Sequence, residues 1–115
     1  MGNPKLIVDG GKLLPPIVGT LPDDKNILVK AYNDVSHNPA EIFKGKTVTF
    51  FPLGSNQSIT LTFRGVNPFG WSSATKSGVQ GKALNITGPA GIYTYEARLT
   101  PGSASGNPDP KLVVK

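Results

Sequence analysis

Apolar and polar residues alternate along several short stretches of the chain, the period-two pattern of strands with one face buried. It is clearest over 57–64, where Ile59, Leu61 and Phe63 fall on one side and Ser58, Thr60, Thr62 and Arg64 on the other. Val48 and Phe50 alternate with Thr47 and Thr49 until Pro52 ends the run, and Leu84 and Ile86 repeat the pattern over 82–87. From Ile92 to Leu99, the residues Tyr93, Tyr95, Ala97 and Leu99 share a face while Glu96 and Arg98 share the other. Three denser apolar runs complete the set. Lys5–Val8 reads as a first or edge strand, 26–32 as a strand covered on both faces, and 111–114 as the last strand.

The stretches between these runs are rich in turn-forming residues. Pro15, Pro16, Gly19 and Pro22 deny a helix to 11–24, because each proline lacks the N–H donor and constrains the residue before it. The polar stretch 33–46 reads as a loop, with room for one helical turn from Pro39 to Phe43. Residues 65–81 show no period and form a long loop carrying Phe69 and Trp71, while 101–108 reads as a flexible connection. These elements predict one domain over 1–115: an all-β, antiparallel Greek-key β-sandwich of about seven strands. Its expected core is Val48, Phe50, Ile59, Leu61, Phe63, Leu84, Ile86, Tyr93 and Tyr95.

Composition narrows the chemistry. The 115 residues include no cysteine, which excludes disulfides, thiolate nucleophiles and cysteine-ligated metal centres. No apolar stretch approaches the roughly 18 residues that a spanning helix needs, so no transmembrane segment is expected. The net charge is +5, but the 12 cations are scattered and only Arg64 and Arg98 are arginines. Dispersed lysines serve as solubilising surface and edge guards, and no specific nucleic-acid partner is expected.

The segment from Phe43 to Phe50, the strand Ser58–Phe63, the run Leu84–Ala97 with its Gly88-Pro89-Ala90-Gly91 turn, and the closing Pro110–Lys115 together resemble the second half of the cupredoxin family. The resemblance covers about Glu41 to Lys115 and implies a cupredoxin-like sandwich. Matched residue by residue, the family's copper ligands fall near Ser58, on Ala97 and near Thr100, none of which supplies the imidazole or thiolate that such copper requires. His37, the sole histidine, lies outside the matched segment, and Met1 is the sole methionine. The resemblance therefore implies a scaffold with no metal and no cofactor. It also implies an extracytoplasmic protein, periplasmic or secreted, although the N-terminus shows no leader pattern.

Few residues remain for chemistry. His37 near Asp34 and Glu41 offers a thin metal or acid–base trio, and no serine sits in a nucleophile-elbow pattern. Glu96 and Arg98 leave one strand on the same face, where they read either as part of a polar binding patch or, more simply, as a solvated pair. Trp71 is the most informative residue. It is either an exposed platform, with Phe69, Asn67 and Ser72 around it, or part of a plug that pins the long loop. The expected function is a non-enzymatic binding or structural module for an unknown protein partner. The alternatives are a small carbohydrate-binding module using Phe69, Trp71, Ser72 and Asn67 to hold a glycan, and an enzyme using His37.

Overall fold

The computed structural model describes residues 24–104 and 106–115. The expected strand Lys5–Val8 and nearly all of the proline-rich stretch after it lie outside them. Among the described residues the fold is all-β, with no helix and nine strands: β1 (Lys25–Ala31), β2 (Asp34–Val35), β3 (Ala40–Ile42), β4 (Thr47–Pro52), β5 (Ser58–Phe63), β6 (Thr75–Ser77), β7 (Leu84–Asn85), β8 (Gly91–Thr100) and β9 (Lys111–Val114). They form a four-stranded sheet in the order β2-β1-β4-β7 and a five-stranded sheet in the order β3-β9-β8-β5-β6.

The alternating residues explain why these sheets form and how they meet. Ile27 and Val29 of β1 and Val48 and Phe50 of β4 are buried in one cluster with Ile59, Leu61 and Phe63 of β5, Tyr95 and Ala97 of β8, and Leu112 and Val114 of β9. Phe50 and Tyr95 bridge the two sheets edge to face, with ring centroids 5.8 Å apart. Full burial of such side chains stabilises by roughly 1.5–3 kcal/mol each, so this shared layer is the main reason for a sandwich-like fold. The expected core residues all lie in this cluster except Leu84, which is half-buried and packs against it.

The expectation of a purely antiparallel fold is corrected. β1 runs parallel to β4, and β3 parallel to β9. The chain leaves β1 through β2, crosses to the other sheet as β3, and returns as β4 in the direction of β1, so no hairpin joins the paired strands. A period of two is common to both orientations and carries no sign of this. The count of about seven also falls short, because β2, β3 and β6 arise in stretches read as loops, and Ala40–Ile42 is a strand where a helical turn seemed possible. β1 is buried on one face only, with Ile27 and Val29 inward and Asn26 and Lys30 exposed.

Tyr95 breaks one rule of core composition. Its hydroxyl is buried with no hydrogen-bond partner among the described residues, and burial pushes the phenol pKa up. An unsatisfied buried hydroxyl costs free energy that its ring does not recover. Tyr95→Phe is expected to raise stability by about 1–2 kcal/mol in chemical denaturation. A loss of stability would show that the hydroxyl has a partner.

Candidate functional site

Phe63 ends β5 pointing inward, and the chain then makes a broad loop before β6 returns along β5. Three aromatic rings hold this loop to the end of the core. Phe69 and Trp71 lie 4.7 Å apart with a 36° tilt, and both meet Phe63, at 5.6 and 6.0 Å and near-perpendicular angles. Phe69 is 9% exposed and closes the end of the core, while Trp71 is half-buried against it.

Asn67 gives the loop its shape. Its Oδ1 accepts from the backbone N–H groups of Phe69 and Trp71, at 2.9 and 3.0 Å, and its Nδ2 donates to the Trp71 carbonyl at 2.9 Å. Pro68 anchors the loop to the far turn, its carbonyl accepting from Thr87 and Gly88 N–H groups at 2.9 Å each. Glycine at 88 leaves room for this approach, since a Cβ there would stand 2.9 Å from the Tyr93 hydroxyl and 3.0 Å from Pro68 Cα and would force one or both to shift.

A shallow groove of about 380 Å³ opens beside this loop, lined among others by Val66, Asn67, Trp71, Ser72 and Ser73. Ser72 is exposed, and Val66 is 76% exposed. The four site residues suggested by the sequence are therefore in one place but in different roles. Phe69 closes the core, Asn67 is spent on the loop backbone, and Trp71 and Ser72 face the groove. The ammonium of Lys76 stands over the indole, 5.7 Å from the ring centroid. Lys76 pairs in register with inward-facing Leu61, which places a charge on the inner side of edge strand β6 and guards that edge against pairing with another chain.

A second hollow, of about 500 Å³, lies between Phe51, Gly54, Gln57 and Gln80. Both of its glutamines are engaged, Gln57 with the Gly54 N–H and Pro101 carbonyl and Gln80 with the Ile59 N–H. The His37 trio does not converge. His37 is exposed beside the Ser36 hydroxyl, Asp34 pairs with Lys30 at 3.8 Å, and Glu41 pairs with Lys115 at 2.9 Å. Among the described residues, no group of three or more His, Asp or Glu side chains is placed to hold a metal ion. Ser58 and Thr100 are cross-strand neighbours, whereas Ala97 is buried with the inward row of β8.

A polar cluster around Glu96 and Arg98, larger than the sequence suggested, lies where β1, β5, β8 and the β8–β9 loop meet. Glu96 Oε2 accepts from the Tyr32 hydroxyl and from Arg98 at 3.3 Å, and lies 3.8 Å from Arg64. Arg64 Nε donates to Asp109 at 2.9 Å, and Asp109 also accepts from Asn33 at 2.9 Å. The pair Glu96 and Arg98 was read as solvated, yet the Glu96 side chain is only 14% exposed. The advance signals are the shared face of Glu96 and Arg98 and the placing of the chain's two arginines on the polar rows of alternating strands.

The hydrogen bond from Arg64 holds the Asp109 carboxyl below the usual aspartate range, and the bond from Asn33 adds to this against the opposing effect of burial. Folded Asp109 thus binds its proton less tightly than the unfolded chain does. Its contribution is present above the ordinary aspartate value and fades as pH falls through the folded one. Asp109→Asn is expected to lower the melting temperature at neutral pH and flatten its decline in acid. Parallel pH profiles for the two proteins would contradict this. No known family model matches the chain, and no curated protein matches it either.

Proposed function

We propose that this chain is a non-enzymatic, metal-free binding or structural module that engages a protein partner through the groove beside Trp71. The observation that carries the reading is the state of Trp71 itself: rigidly seated by Phe63, Phe69 and Asn67, half-open to solvent, and flanked by exposed Val66 and Ser72. A pre-ordered aromatic beside small polar groups presents contact area at little entropic cost. The cupredoxin-like, Greek-key form of the sandwich belongs to the same proposal, supported by the order of elements from β4 to β9. A glycan is the weaker occupant. The Asn67 carbonyl already accepts two backbone N–H groups and one of its amide hydrogens goes to the Trp71 carbonyl, and stacking on the indole face under Lys76 would require that side chain to move.

Selection from a displayed peptide library, followed by fluorescence titration of the sole tryptophan, tests the proposal. Peptides that shift Trp71 emission and bind Trp71→Ala about tenfold more weakly are expected. Peptides that bind both proteins equally would overturn it, as would emission changes produced by a glycan panel and by no peptide.

A further inference from the structure

The outer face of the five-stranded sheet presents a different kind of surface. Along β8 the outward row is Ile92, Thr94, Glu96 and Arg98, with Ile92 directly opposite Val113 of β9. Ile92 is 69% exposed, so one end of the row is apolar. At the other end, Arg64 and Arg98 converge on the same oxygen of Glu96.

The two arginines are more exposed than the carboxylates that hold them. Their side chains are 49% and 44% exposed, against 14% for Glu96 and 27% for Asp109. The carboxylates thus lie beneath the guanidinium groups and fix their planes. Arg64 spends Nε on Asp109, and Arg98 spends one terminal nitrogen on Glu96 and rests over the Tyr32 ring at 5.3 Å. Among the described residues, no other hydrogen bond takes their remaining N–H donors. A guanidinium oriented in advance by a part-buried anion loses less entropy when it grips a second one, and its planar fork matches a carboxylate. Lys111, bonded to Thr94 on the same face, adds a third cation against two anions.

We infer that Arg64 and Arg98 form an oriented docking site for an acidic segment of a partner protein, whose carboxylates pair with the two guanidinium groups while an apolar side chain rests on Ile92 and Val113. This surface is independent of Trp71, and its failure would leave the groove reading intact.

Titration of the full chain with an oligo-glutamate peptide, monitored by amide NMR, tests the inference. Salt-sensitive binding is expected, with shifts at Arg64, Thr94, Glu96 and Arg98. Arg98→Gln should weaken it about tenfold, while its melting curve stays close to that of the native protein. Arg98→Lys, which keeps the charge but not the fork, should also bind more weakly than the native protein. Lys82→Gln and Trp71→Ala should bind like it. The inference is overturned if no binding is detected, if Arg98→Lys binds as well as arginine, or if Lys82→Gln loses as much as Arg98→Gln. Binding of heparin fragments at these residues without binding of the peptide also overturns it, in favour of a sulfated glycan.

Discussion

Phe63→Ala is expected to destabilise the protein by about 3–5 kcal/mol and to loosen the Trp71 loop in the same step. Phe63 is 2% exposed and meets three other aromatic rings, one on β8 and two on the loop after β5. Its ring lies 5.4 Å from Tyr95 and contacts both Phe69 and Trp71, so truncation opens a cavity under the whole aromatic cluster. Chemical denaturation measures the loss, and red-shifted Trp71 emission reports the loosened loop. Val66→Ala is the control, since a residue so exposed should change stability by no more than about 0.5 kcal/mol. Equal effects of the two substitutions would mean that the loop is not seated on Phe63.

The second large effect is expected at Asn33, which is 5% exposed and joins three segments. Its Oδ1 accepts from the Ala97 N–H at 2.8 Å, its backbone N–H donates to the Ala97 carbonyl at 2.9 Å, and its Nδ2 donates to Asn107 and Asp109. β9 pairs with β8 only as far as Thr94, so Asn33 satisfies backbone groups on an edge that β9 does not reach. Its φ of +55° is one that asparagine tolerates far better than alanine. Asn33→Ala orphans the Ala97 N–H, frees the β8–β9 loop and forces alanine into that conformation. A loss of about 2–4 kcal/mol is expected. Hydrogen exchange at the Ala97 amide should accelerate more than at Tyr93, which lies where β9 still pairs with β8. Unchanged exchange at Ala97 would contradict this assignment.

These two residues also mark what the sequence does and does not disclose. Phe63 sits in the most regular alternation of the chain, and burial of one face follows directly from that pattern. β4, β5 and β8 are legible for the same reason. β2, β3 and β6 are two or three residues long, too short to show any period. Asn33 stands in a polar stretch that reads as loop, and its partners are 64 to 76 residues away, a separation that no local pattern records. Of the cluster around Glu96 only the Glu96 and Arg98 pair shows in the sequence, and the rest is hidden in the same way, since Tyr32, Arg64 and Asp109 reach it from other strands and loops. At the groove, the sequence placed Trp71 and Ser72 in a loop with Asn67 and Phe69. It did not separate the side chains that face solvent from those that build the loop, because that division depends on Phe63 and Gly88.

The central claim is that Trp71 is a fixed, half-open side chain at the end of a sandwich-like core. Because it is the only tryptophan, emission and acrylamide quenching of the native protein test that claim most directly. The account predicts emission between that of a buried indole and that of a hydrated one, partial quenching, and a shift toward the hydrated limit in Phe63→Ala. Native emission already at the hydrated limit, with full quenching, would contradict it by showing that the loop is not docked. A fully protected indole would contradict it by leaving no groove to bind with.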